Sequence, residues 1–193
     1  EAIHIAGGPH VTLAYEEFLR VNREFDAAFI GESERSIVEF SGRLEAKSPY
    51  DGINGVAYIG REGKLHLSPS KPEENLESLA FPRFEPFYNV DPSKEPYHLL
   101  TSRGCPHLCV FCCVHAISGR KWRFRSPENI VAELKQAVMR YGIKEFEVDD
   151  DNFTLNIDRA KEFCRQLGRM KLGLGWFCPN GIRADRLDSE LAL

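Results

Sequence analysis

The stretch Thr101-Ser102-Arg103-Gly104-Cys105-Pro106-His107-Leu108-Cys109-Val110-Phe111-Cys112-Cys113 holds four of the chain's six cysteines within nine residues. It follows a short apolar run, Tyr97 to Leu100, that reads as a strand. Cys105, Cys109 and Cys112 stand at C-x3-C-x2-C spacing, so one loop can curl three thiolates around one inorganic centre. A closed structural zinc site takes four nitrogen or sulfur ligands, and an ordinary [4Fe–4S] cluster takes four thiolates. Three thiolates leave a position open for a substrate or cofactor to chelate. The competing reading is a Cys3His zinc site completed by His115 or His107. Cys113 is set aside, because the neighbour of a ligand on a tight loop points its side chain elsewhere.

Downstream of the loop the pattern is strand, helix, strand, helix, strand. The first strand, Tyr97 to Ser102, delivers the cysteines. Ser126 is an N-cap with Pro127 at the first helical position. Ile130, Val131, Leu134, Ala137, Val138 and Tyr141 then share one helical face, and Gly142 suits the C-terminal turn. The strand Lys144 to Val148 ends in Asp149-Asp150-Asp151-Asn152. Asn156 opens a second helix with Ala160, Phe163, Cys164 and Leu167 inward, and Gly168 nearby as a stop. A third strand, Leu172 to Cys178, precedes Pro179-Asn180-Gly181. Strands alternating with helices of this length imply a parallel sheet with right-handed crossovers. Ligand chemistry belongs at the carboxyl ends of such strands. The cysteine loop, the aspartate run and the stretch from Cys178 to Arg183 all fall there.

Upstream, residues 1–46 read as the end of an α/β domain. A strand at Ile3-His4-Ile5 enters the turn Gly7-Gly8-Pro9-His10, where backbone can approach a ligand closely. A short helix around Tyr15 to Leu19 follows, then the strand Ala27 to Ile30 and Gly31-Glu32-Ser33-Glu34. The next helix turns Ile37, Val38, Phe40 (or Ser41) and Leu44 inward. Val56 to Ile59 and Leu65 to Leu67 flank Gly60-Arg61-Glu62-Gly63 as a hairpin. Residues 69–96 carry six of the eleven prolines, with Leu76, Leu79 and Phe81 interspersed, which describes a connector packed on a surface.

The 193 residues are 42% hydrophobic and 28% charged, ordinary globular composition, and the formal net charge of −4 argues against a nucleic-acid or anionic-membrane surface. No apolar run approaches the ~18 residues of a membrane span, and clustered cysteines favour metal over disulfides and place the protein in the cytoplasm. Glu1 stands in a strand already under way, so the sequence reads as a segment of a longer protein. Two further groups are ambiguous. Three carboxylates at one strand end make either a capped, solvated turn or a cation-binding site. Gly119-Arg120-Lys121-Trp122-Arg123-Phe124-Arg125 has the composition of a phosphate and base gripper, or of a charged loop with Trp122 and Phe124 packed inward. Cys164 reads as core, and Cys178 as either core or cavity.

The cysteine loop resembles that of the radical S-adenosylmethionine (SAM) enzymes. The resemblance implies a [4Fe–4S] cluster on Cys105, Cys109 and Cys112, with SAM chelating the fourth iron and Phe111, before the last cysteine, near the adenine. Asp150-Asp151-Asn152-Phe153-Thr154 is similar to the acidic form of the SAM-ammonium motif in the cobalamin-linked subfamily, which makes Asp149, Asp150 and Asp151 candidates. Arg183 is a candidate for a carboxylate of SAM or substrate. Gly-Gly-Pro-His and Gly-Glu-Ser-Glu resemble the tail of that subfamily's cobalamin-binding domain, with Gly7 and Gly8 bordering the cobalamin nucleotide tail. Ser33 departs from its usual Gly-Glu-Gly-Glu.

The fold implied is α/β: the end of a flavodoxin-like cobalamin-binding domain (1–46), a hairpin and proline-rich connector (47–96), and the first β/α units of a radical SAM partial TIM-type barrel (97–193). The activity implied is reductive cleavage of SAM to a 5′-deoxyadenosyl radical. That radical would start cobalamin-dependent methylation of a small-molecule substrate, or a cyclisation like that of Mg-protoporphyrin ester. The electron would come from a donor such as flavodoxin or ferredoxin. The alternatives are a methylthiotransferase of RNA or protein, which needs a second cluster, and a zinc-stabilised binding module.

Overall fold

The structure, a computed structural model, describes residues 2–192; Glu1, with which the first expected strand context begins, and Leu193 lie outside it. Residues up to Glu73 together with His107–Arg120 form one compact unit, and Glu74–Pro106 with the residues from Lys121 form a second.

In the first unit, β1 (Ile5–Ala6) and β2 (Ala27–Phe29) pair in parallel across α1 (Pro9–Val21), with Ile5 opposite Ala27. The helix α2 (Glu34–Glu45) follows, and β3 (Val56–Ile59) and β4 (Leu65–Leu67) extend the sheet antiparallel in the order β1-β2-β3-β4. The hairpin placed in the connector on sequence grounds is thus the outer half of this sheet. Every residue of β2 is buried, as a central strand covered on both faces requires. Ala27 and Phe29 pack with Phe40, Ile53 and Val56, while Ala28 packs with Val11, Leu19 and Ala57.

Two expectations change here. The first helix begins at Pro9, which supplies the φ of a first helical residue directly after the glycine pair, and it kinks at Ala14, so the helix expected around Tyr15 to Leu19 is its second half. Val38 is 72% exposed, since a step of about 100° takes it off the face that Ile37, Phe40 and Leu44 share. A single turn of helix, α3 (Val114–Ile117), belongs to this unit.

The second unit holds β5 (Tyr97–Leu99), the short antiparallel pair β6 (Ser102–Arg103) and β7 (Arg123–Phe124), α4 (Pro127–Tyr141), β8 (Glu145–Val148), α5 (Ile157–Met170), β9 (Gly175–Phe177) and α6 (Ser189–Ala192). Strands β5, β8 and β9 form the parallel sheet the alternation implies, in that order. The expected strand Tyr97 to Ser102 stops at Leu99, and the third is shorter than Leu172 to Cys178. Ser126 Oγ accepts the Asn129 N–H at 3.3 Å to start α4, and Asn156 Oδ1 accepts the Arg159 N–H at 3.0 Å to start α5. The second helix runs past Gly168 and ends at Lys171, in left-handed geometry.

Tyr97, Leu99, Phe146 and Val148 turn one way, into a core with Ile130, Leu134, Ala160 and Phe163. Each large side chain so buried contributes roughly 1.5–3 kcal/mol. The opposite side of the sheet carries His98, Glu147 and Phe177 in one cross-strand row. Within this unit the connector is fixed at several points. Leu76 is buried, Phe84 packs on Tyr97 and Tyr141, and Glu77 accepts the Ser126 N–H at 2.6 Å.

Candidate functional site

The carboxyl ends of β5 and β8 are joined through Asp150. Its Oδ1 accepts the backbone N–H of Thr101 at 2.6 Å and of Ser102 at 3.0 Å, and its Oδ2 accepts both hydroxyls at 2.5 Å. Those two amides therefore leave the parallel ladder, which is why β5 ends at Leu99 and the chain can swing out into β6 and the cysteine loop. Asp150 is 1% exposed. Burial pushes its carboxyl above the usual range, and the bonds from Ser102 and Thr101 oppose that shift. Asp150 is thus a structural carboxylate with its lone pairs engaged, not an open acceptor.

Its neighbours in the run face other ways. Asp149 Oδ2 lies 2.9 Å from His98 Nδ1, which is 2.7 Å from Glu147 Oε1. Among the described residues this trio is the group of three ligand-type atoms lying within 4.8 Å of one another. Asp151 is exposed. Asn152, part of the acidic motif but not one of its candidates, is 5% exposed; its Nδ2 lies 3.8 Å from Cys105 Sγ and its buried Oδ1 has no partner. Its sequence signal was position alone, two residues beyond a buried carboxylate on the same turn. His98 had a clearer signal, since it alternates with two buried residues of a strand and must point to the other face.

The six cysteines are all free thiols. Cys105 is half-buried in the second unit. Within the first, the Cys112 N–H donates to the Cys109 carbonyl at 3.0 Å, a turn that brings the two close in the chain; Cys112 is half-buried and Cys109 exposed. Phe111 is 89% exposed, and Cys113 is exposed at the start of α3. Cys164 packs against the core as its helical face requires, and so does Cys178. Burial pushes the Cys178 thiol up to about 11. Arg183 forms a two-bond fork with Asp185 at 2.8 and 2.9 Å.

Arg123 and Arg125 of the basic stretch are spent internally. Arg125, nearly buried, pairs with Glu133 at 2.5 Å and donates to the Leu100 carbonyl at 2.8 Å; Arg123 is buried as well. Trp122 and Phe124 stack at 4.6 Å, and the Arg159 guanidinium sits 5.6 Å from both rings while donating to the Arg125 and Thr101 carbonyls. Phe124 stays half-exposed rather than inward. These arginines brace the strand ends from which the cysteine loop departs, while Arg120 and Lys121 of the stretch remain exposed.

In the first unit, Gly8 stands with φ 99° ahead of α1, and a side chain there would meet nothing within 4 Å. Gly7 lies against Phe29. Gly31 has φ 71°, and a Cβ would come within 2.7 Å of Ser70 Oγ, so glycine is required. Ser33 has φ −122°, ordinary for any side chain, which explains how serine stands where the subfamily motif has glycine.

Residues 99–188 match the radical SAM superfamily. The chain carries a radical SAM domain. It is 29% identical, over 99% of its length and 41% of the relative's, to the cytidylyl-2-hydroxyethylphosphonate methyltransferase of Streptomyces wedmorensis. It is 27% identical, over 91% of its length and 33% of the relative's, to an anaerobic magnesium-protoporphyrin IX monomethyl ester cyclase of Rubrivivax gelatinosus. In fold it matches TsrM of Kitasatospora setae, a radical SAM methyltransferase solved with cobalamin and a [4Fe–4S] cluster. The TM-score is 0.73 at 18% identity, over 100% of this chain and 39% of that one. The α/β reading therefore holds, and the chain spans less than half the length of these relatives. No helix among the described residues is long and apolar enough to cross a membrane.

Proposed function

We propose that the chain is the cluster-bearing part of a cobalamin-dependent radical SAM enzyme that acts on an unactivated carbon of a small molecule, in the cytoplasm. The observation that carries this is the set of three free thiols at C-x3-C-x2-C spacing, departing from the carboxyl end of a parallel strand. The donor set fits the group: three soft sulfur ligands, no disulfide among them, and a buried amide beside the first. A [4Fe–4S] cluster so held supplies the electron for reductive cleavage of SAM, replenished by a flavodoxin- or ferredoxin-type donor.

The rest falls to the chain's own side chains. Cys105, Cys109 and Cys112 bind iron, and Phe111 offers an uncovered ring to the adenine. With Asp150 engaged, the SAM ammonium is left to Asp149, Asp151 and the partnerless Asn152 Oδ1. Gly7 and Gly8, ahead of α1, would border the nucleotide tail of the cobalamin that the parent protein binds. Arg183 is available to a carboxylate by exchange from Asp185. Methyl transfer is favoured over cyclisation because the relative matched over 99% of the chain is a methyltransferase.

Anaerobic reconstitution with iron and sulfide tests this. The expected product is brown and holds about four irons per chain. Alanine at Cys105, Cys109 or Cys112 abolishes loading, whereas alanine at Cys113 or Cys164 does not. Stoichiometric zinc without sulfide in the native protein overturns the reading in favour of a zinc-stabilised module.

A further inference from the structure

Asn152 has no evident reason to be buried. It is 5% exposed, it caps no helix, and its buried Oδ1 has no hydrogen-bond partner. The contact it does make is with sulfur: Nδ2 lies 3.8 Å from Cys105 Sγ, within range of an N–H···S bond. The orientation follows from charge. A thiolate accepts from an amide N–H, whereas a flipped amide would set its carbonyl oxygen against an anionic sulfur.

The amide is also held from both sides. Asp150 is tied to Thr101 and Ser102, three residues before Cys105, and Phe153 and Thr154 are buried immediately after Asn152. One rigid turn therefore fixes the start of the cysteine loop and aims a donor at its first sulfur. Of the three cysteines in the motif, Cys105 is the one in this unit.

We propose that Asn152 is a positioning residue for the Cys105 thiolate, fixing its sulfur and tuning the reduction potential of the iron it binds. This rests on the reading of Cys105 as a cluster ligand. Donation to a ligating sulfur withdraws electron density from the metal and favours the reduced state, so hydrogen bonds to sulfur raise an iron–sulfur potential. Removing the donor at constant volume lowers it, and replacing it with a carboxylate lowers it further.

The test uses the full-length protein reconstituted with iron and sulfide and titrated anaerobically, with the reduced cluster read by electron paramagnetic resonance. Asn152→Leu is expected to load iron like wild type and to titrate at a more negative midpoint, with Asn152→Asp more negative still. A purely structural role changes thermal stability and leaves the midpoint of the loaded fraction where it was, and that result overturns the proposal. Should the variants not fold, wild-type protein labelled with 15N-asparagine answers instead. A nitrogen hyperfine coupling from a side-chain amide to the reduced cluster supports the contact, and its absence overturns it. Failure of the wild type itself to bind iron and sulfide counts against the function proposed above, and is told apart because it precedes any comparison of variants.

Discussion

Asp150 and Thr101, forty-nine residues apart in sequence, share two hydrogen bonds, from the Thr101 N–H at 2.6 Å and its hydroxyl at 2.5 Å. With the same pair of bonds to Ser102, one carboxylate ends β5 and fixes the point from which the cysteine loop departs. Asp150→Ala would leave two buried amides and two hydroxyls without partners. Its expected cost is about 3–5 kcal/mol in urea unfolding, the range for breaking a buried charged network. Asp150→Asn keeps one carbonyl for the two amides and is expected to cost less than half of that. An alanine variant with wild-type stability would show that the carboxylate is not structural.

The second buried pair makes a sharper comparison. Arg125 and Glu133 meet at 2.5 Å with almost no exposure, and the Tyr97 hydroxyl donates to Glu133 at 2.7 Å. Burial and the Glu133 charge push the Tyr97 phenol well above its ordinary value, so it stays a donor at any pH the protein tolerates. Removing either charge alone strands the other in the core, at about 3–5 kcal/mol. Arg125→Met with Glu133→Leu removes both, and its destabilisation is expected to be smaller than that of either single variant. Additive losses in the double-mutant cycle would mean that each side chain acts through contacts other than the pair.

The second unit was legible because its local signals agree. Ser126, Pro127 and Asn156 mark helix starts where the structure has them, and the apolar faces of α4 and α5 follow the 3.6-residue period. Two kinds of feature were not legible. Asp150 and Asp149 are adjacent and chemically identical, and only long-range partners make the first a buried clasp and the second a neighbour of His98. Arg123, Arg125 and Arg159 look like a basic surface, but each bonds or packs inward, since a long side chain can bury its stem and still find carbonyls. The hairpin's place beside β2 was hidden for a simpler reason. Pairing across some twenty-eight residues is a non-local choice that periodicity does not record.

Cys178 gives a pH dependence with a definite sign. Its thiol, packed on the core, rises from an ordinary 9.0 to about 11, mainly through burial and then through the nearby Asp150 charge. The native state therefore holds this proton more tightly than the unfolded chain. The associated stability is complete below about pH 9 and is lost as pH rises towards 11. Because the residue is only half-buried, solvent screening reduces the effect to about 1 kcal/mol. The difference in unfolding free energy between wild type and Cys178→Ala is expected to shrink by that amount across the window. A difference independent of pH would show that the thiol titrates normally.

With Asp150 engaged by four donors, its neighbours Asp149 and Asp151 are the carboxylates to test for the SAM ammonium. Asp151 is exposed on the turn that follows the clasp, and Asp149, just before it, shares His98 with Glu147. Asn substitutions at these two positions, in the reconstituted full-length protein, change charge with little change in volume. Losing a charge-assisted hydrogen bond is expected to weaken SAM binding about tenfold or more, while the cluster spectrum is retained because no carboxylate ligates iron. Asp149→Asn also removes a partner of His98, so its loss of SAM affinity is read together with any change in stability. Asp150→Asn serves as the contrast: it should lower stability first, with SAM affinity changed only to the extent that the loop shifts. If the Asp149 and Asp151 variants bind SAM as tightly as wild type, the side-chain carboxylates have no part in holding the ammonium. The buried Asn152 carbonyl would then be the acceptor remaining on this turn.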